Sequence, residues 1–137
     1  MKKSIFILHT LTLPLAIFGF GKAAKVDPES GEKKATYNKI SSKEAKELID
    51  NGSVTTILDV RTSDEYRNGH IPGAINIPYD QIPGKAEGLL KDKKATILVY
   101  CASGARSHTG AKSLVRQGYT NVSDFGGIMR WQYGTVR

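Results

Sequence analysis

One cysteine occurs in the chain, Cys101, and it opens the segment Cys101-Ala102-Ser103-Gly104-Ala105-Arg106-Ser107. The run before it, Thr96-Ile97-Leu98-Val99-Tyr100, is β-branched and apolar, and Ala111 to Arg116 reads as a helix. A thiol at the end of a buried strand, in a glycine-containing turn that feeds a helix, is placed as a nucleophile. Such a turn aims backbone N–H groups inward, and the helix start adds partial positive charge worth at most ~2 kcal/mol. Both effects favour the thiolate, which is the reactive form, and Arg106 adds a nearby cation. A purely structural buried cysteine is the competing reading. The Gly104 turn and an arginine within five positions argue against it.

The elements that must position this segment alternate in kind. Ser41 to Asn51 reads as a helix, with Ser41 and Glu44 spaced as a capping box and Asn51-Gly52 as its stop. Thr55 to Val60 is a strand that ends in the charged residues Asp59 and Arg61. Ser63 is placed to cap a short helix through Asp64, Glu65 and Tyr66, ending near Asn68-Gly69. His70 to Pro78 reads as a turn and a short extended piece, and Lys85 to Leu90 as a helix. Val122 to Phe125 is a final strand, and Gly126-Gly127 precedes a last helical stretch around Met129 and Trp131. Strands alternating with helices predict an α/β fold, a central parallel sheet covered by helices on both faces. Ligands of such sheets bind outside the carboxyl ends of the strands, where Asp59 and Cys101 both fall.

The first residues follow a different pattern. Lys2-Lys3, the mostly apolar stretch Ile5 to Phe20, and the small residues Gly21 and Ala23 form a secretory signal peptide over 1–23. The apolar stretch would span only ~24 Å as a helix, short of the ~30 Å hydrocarbon core. Residues 24–36, polar and carrying Pro28 and Gly31, read as a flexible arm, leaving 37–137 as one domain. Removal of 1–23 takes away three lysines and lowers the net charge from +7 to +4. The remaining cations are scattered, with no basic run interleaved with aromatics, so no nucleic-acid partner is expected. A mild positive balance does help attract a small anion. A lone cysteine forms no intramolecular disulfide, and export to an oxidising compartment makes an idle thiol a liability.

Together these residues resemble the rhodanese family, and in particular its small single-domain exported kind. The resemblance is carried by Leu58-Asp59-Val60-Arg61, Glu65-Tyr66, Gly69-His70-Ile71-Pro72-Gly73-Ala74-Ile75-Asn76-Ile77-Pro78, the Cys101–Ser107 loop, and Gly126-Gly127 with Trp131. It spans Ile40 to Trp131 and implies a rhodanese-like fold with thiosulfate sulfurtransferase activity. Cys101 would be the nucleophile and persulfide carrier. Ala102, Ser103, Gly104, Ala105 and Arg106 would form the cradle around the outer sulfur, with Arg106 attracting the anionic donor. Sulfite and thiolates leave without protonation, so no general acid is required, and the loop contains none. The partners implied are a small anionic sulfur donor and a thiophilic acceptor, cyanide or a thiol.

The loop also separates this reading from its neighbours. Cysteine-dependent phosphatases place five residues between Cys and Arg, whereas four stand between Cys101 and Arg106. The shorter loop suits one sulfur atom rather than a phosphate. Relatives of the mercaptopyruvate type usually carry a small hydroxyl residue where this chain has Arg106, which disfavours that donor. A non-enzymatic persulfide carrier or redox-sensing binding module is the alternative from another class.

The remaining candidates have supporting roles. Asp59 is placed to orient the loop or to pair with Arg61 or Arg106, and Ser107 to cap the following helix or donate to the sulfur. His70 is expected to pack and hydrogen-bond, His108 to lie at the surface, and Trp131 to form core or pocket wall. No metal-ligand spacing and no nucleotide loop occur, so no metal and no cofactor are expected. No lasting membrane association is expected once the signal is removed.

Overall fold

The structure, a computed structural model, describes residues 36–137. The signal peptide expected over 1–23 and the arm over 24–36, Thr36 excepted, lie outside the described residues. Five strands form one parallel sheet: β1 (Asn38–Lys39), β2 (Thr56–Asp59), β3 (Ile75–Asn76), β4 (Ile97–Cys101) and β5 (Val122–Gly127). Their order across the sheet is β1-β5-β4-β2-β3, which puts the cysteine strand at the centre. Four helices connect them: α1 (Ser42–Asp50), α2 (Ser63–Arg67), α3 (Ile82–Leu89) and α4 (Ala105–Arg116). Short 3-10 turns occupy Tyr79–Gln81 and Ile128–Arg130. No helix among the described residues is long and apolar enough to cross a membrane.

Period-two alternation divides the core. Leu58, Val60, Ile97, Val99 and Cys101 face one side with Ile82, Ala86, Ala111 and Leu114, so α3 and α4 cover that face. Ile57, Leu98, Tyr100 and Phe125 face the other with Ala45, Leu48 and Tyr66, under α1 and α2. All five residues of β4 are buried, as expected of a central parallel strand.

The structure revises several of the boundaries expected from sequence. Helix α1 has its capping box, Ser41 Oγ accepting from Glu44 N–H and Glu44 accepting from Ser41 N–H. The cap of α2, however, is Thr62 rather than Ser63, because Thr62 Oγ1 accepts from Glu65 N–H (3.2 Å). Helix α3 starts at Ile82, with Pro83 filling an early position where no N–H is needed. Helix α4 begins at Ala105, two residues ahead of the Ser107 expected as a cap and directly on the cysteine loop. Strand β1 was not legible, being two exposed residues paired to Ser123 and Asp124 of β5.

Strand β5 runs two residues beyond Phe125 through a register shift. Val99 pairs with Asp124, but Cys101 pairs with Gly127, so β5 carries one extra residue. Gly126 takes φ +86° within this bulge, and its N–H donates to Asp124 Oδ1 (2.8 Å). The bulge sets Gly127 beside the cysteine.

Candidate active site

Cys101 ends β4 with 1% exposure, and its sulfur sits under the turn that follows. Gly104 N–H donates to Cys101 Sγ at 3.0 Å. Gly104 reaches this position at φ +119°, a conformation that L side chains rarely adopt. The buried Ser107 hydroxyl donates to Gly104 carbonyl (2.9 Å), which also accepts from His108 N–H (3.2 Å). Ser107 therefore neither caps α4 nor donates to the sulfur. It closes the turn that holds the Gly104 N–H in place. Ser103 and Ala105 form the exposed crown of the loop, with Ala102 and Gly104 half-buried.

The underside of the loop rests on β5. Met129 N–H donates to Ala102 carbonyl (3.3 Å). A Cβ on Gly127 would lie 2.1 Å from that same carbonyl oxygen, so only glycine admits the loop here.

Arg106 is gripped from the side. Its Nη1 and Nη2 donate to Glu65 Oε1 and Oε2 at 2.6 and 2.9 Å, a two-pronged pair from α4 to α2. The guanidinium holds the Glu65 carboxyl well below the usual range, at about 2, and Glu65 in turn raises Arg106. Smaller attractions to Arg106 come from Cys101 and Asp59, which places the cation within electrostatic reach of the sulfur. Glu65 is thus a loop-positioning residue to which the sequence reading gave no role. Its signal was the Glu65-Tyr66 pair following a Thr62 cap.

Asp59 and Arg61 stand apart from the cysteine loop's hydrogen bonds. Both are buried, and Arg61 Nε and Nη2 donate to the Asp59 carboxylate, Nη2 to Oδ2 at 2.7 Å. Arg61 Nη2 also donates to Gly69 carbonyl (2.7 Å), and Asn76 Nδ2 to the carbonyls of Asp59 and Arg61. Of the two pairings open to Asp59, the structure has the one with Arg61. This network pins the Gly69–Ala74 turn to the end of β2. Tyr100 oxygen accepts from Ile71 N–H (3.0 Å) in the same region, and burial pushes its hydroxyl pKa up. His70 stacks on Tyr66 with centroids 3.8 Å apart, and its Nδ1 lies 2.9 Å from Tyr66 carbonyl. His108 is exposed against Tyr37, and Trp131 packs on Phe125 with centroids 5.7 Å apart. These are the placements expected for His70, His108 and Trp131.

The chain has counterparts among known proteins. Residues 41–133 match the rhodanese-like domain family. The chain belongs to that family. It is 37% identical over 71 residues to the thiosulfate sulfurtransferase PspE of Escherichia coli, covering 52% of this chain and 68% of that one. It is 39% identical over 93 residues to the putative sulfurtransferase YtwF of Bacillus subtilis, covering 68% and 88%. A solved structure described as a rhodanese with anions from E. coli superposes with a TM-score of 0.56 at 33% identity, over 60% of this chain and 96% of that one. In open α/β sheets ligands bind outside the carboxyl ends of the strands, and the Cys101 loop lies at such an end.

Proposed function

We propose that this rhodanese-like protein is a thiosulfate sulfurtransferase working through a Cys101 persulfide. The observation that carries the reading is the Gly104 N–H directed at Cys101 Sγ (3.0 Å), in a turn too short for phosphate. The kinship with named sulfurtransferases supports it.

The Cys101 thiolate attacks the outer sulfur of thiosulfate. An Sγ–S bond forms, the S–S bond of thiosulfate breaks, and its electron pair leaves with sulfite. The persulfide carries one negative charge on its outer sulfur, beneath the loop crown of Ala102, Ser103, Gly104 and Ala105. Backbone donors hold anionic sulfur without exchanging a proton, so they serve both the thiolate and the persulfide. A nucleophile such as cyanide then takes the outer sulfur, and Cys101 departs as thiolate. Arg106 has five N–H donors, of which Glu65 occupies two, so the remainder serve the donor anion while Glu65 fixes the fork. The signal pattern read over residues 1–23 supports export, and with it a periplasmic setting for this chemistry.

Intact mass before and after thiosulfate, then after cyanide, tests the reading. A gain of one sulfur atom that cyanide removes as thiocyanate, absent in Cys101→Ser, is expected. A stable gain with no release to any acceptor would favour a persulfide carrier. No gain on the folded, reduced protein would exclude thiosulfate as donor.

A further inference from the structure

A groove of about 580 Å³ runs between the β1 segment and α4, and no residue of the Cys101–Ser107 loop lines it. Tyr37 and Lys39 form one side, and His108, Lys112, Val115 and Arg116 the other. These helix positions are spaced i, i+4, i+7 and i+8, which an α-helix sets on one face. Lys39, Lys112 and Arg116 are exposed, and none has an ion pair among the described residues. No carboxylate among the described residues lines the groove. The helix macrodipole accounts for Arg116 alone, the one cation in the last turn of α4. Lys112 stands a turn earlier, and Lys39 is on another element.

The apolar part of the groove comes from three side chains. Val115 is buried, and Tyr37 packs half-buried against the core under α3 and α4. The Tyr37 hydroxyl and His108 Nδ1 hydrogen-bond each other, their rings edge to face with centroids 5.7 Å apart. Those polar atoms satisfy one another, so the two rings offer the groove mainly carbon. Three unanswered cations around an aromatic and aliphatic wall suit a ligand that has both characters. A bare anion would leave the rings uncovered, and a neutral aromatic would leave the cations without a partner. A second copy docked symmetrically here would bring like charges together. We propose that this groove is a binding site for a small aromatic anion, a ring system carrying a sulfonate, phosphate or carboxylate, separate from the sulfur chemistry at Cys101. Its volume lies in the range of small-molecule sites.

The test uses two probes with the same ring skeleton, anilinonaphthalene sulfonate and the uncharged phenylnaphthylamine. Each is titrated into the folded protein, and Kd is taken from the NMR shifts of the Tyr37, Lys112 and Val115 amides. The sulfonate should bind more tightly than the amine, and its Kd should rise with added salt. Lys112→Gln and Arg116→Gln should each weaken it roughly two- to fivefold, and the double variant further. Both are surface side chains, and melting curves verify that the variants fold. A second groove, beside the Ser103–Gly104 turn, shares Lys39 and is also lined by Lys43 and Arg130. Lys43→Gln with Arg130→Gln should therefore leave these shifts and this Kd unchanged. Inorganic sulfate at the same concentration should not displace the probe. Equal affinity for the two probes, shifts confined to other residues, or indifference to the double substitution overturns the proposal. Tighter binding of pentaglutamate than of the sulfonate assigns the groove to an acidic polypeptide and overturns it as well. None of these readouts depends on sulfur transfer, so failure here leaves the persulfide reading standing.

Discussion

Replacing Gly127 by alanine isolates the contact that seats the cysteine loop. Gly127 has φ −119° and ψ 145°, extended backbone that alanine adopts without strain. Conformational propensity alone therefore predicts a neutral or slightly stabilising change, by roughly 0.4–1 kcal/mol through the unfolded chain. The tertiary contact predicts the reverse. The new Cβ would stand 2.1 Å from Ala102 oxygen, 2.7 Å from Ala102 carbon and 2.7 Å from Ser103 Cα. All three are backbone atoms, so the loop must lift by about 1 Å to restore van der Waals separation. A shift of that size lengthens and weakens the 3.0 Å bond from Gly104 N–H to the sulfur. Overpacking of this kind costs about 1–3 kcal/mol, equivalent to a fall of ~4–20 °C in Tm for a domain of this size. Misplacing a donor at the reacting atom costs on the order of 10²-fold in rate. The assay is thiocyanate formation from thiosulfate and cyanide, with Tm measured on the same samples. Gly88→Ala in α3, where a Cβ meets nothing within 4 Å, is the control and should be neutral or stabilising. Wild-type kcat/KM and Tm in Gly127→Ala would refute the reasoning that this glycine seats the loop.

Two further substitutions probe the ion pairs. Glu65→Gln should lower stability by roughly 1 kcal/mol at pH 7, a figure reduced for solvent screening because the pair is about a third exposed. Glu65 falls from an ordinary 4.5 to about 2 on folding, so its contribution is full above 4.5 and is lost as pH falls through about 2. The Tm difference between the two proteins should shrink across that window, and a constant difference would contradict the assignment. The same variant should lower kcat/KM for thiosulfate by releasing the Arg106 fork. Asp59→Asn leaves the buried Arg61 guanidinium without its carboxylate and should cost about 3–5 kcal/mol, read by urea unfolding. A loss below 1 kcal/mol would show that the pair contributes little to holding the Gly69 turn.

The lone Cys101, the four-residue interval to Arg106 and the Ser41–Glu44 capping box were all legible in the chain, because each depends on neighbours a few residues apart. The alternation of Ile97, Val99 and Cys101 with Leu98 and Tyr100 likewise assigns β4 to a buried strand, since a strand turns successive side chains to opposite faces. Those local rules were enough for the parallel α/β layout and for the location of the thiol. They could not show that Glu65 clamps Arg106 from 41 positions away, because that meeting depends on α2 and α4 being brought together over the sheet. Nor could they show that Asp59 turns to Arg61 rather than to the loop, when either partner satisfies a buried carboxylate. The placement of Gly127 against Cys101 arises from one extra residue in β5, and a register shift has no sequence period to betray it. A groove beside the Ser103–Gly104 turn is likewise assembled from β1, α1 and the segment after β5, so its Lys39, Lys43 and Arg130 read as scattered charges until the fold gathers them.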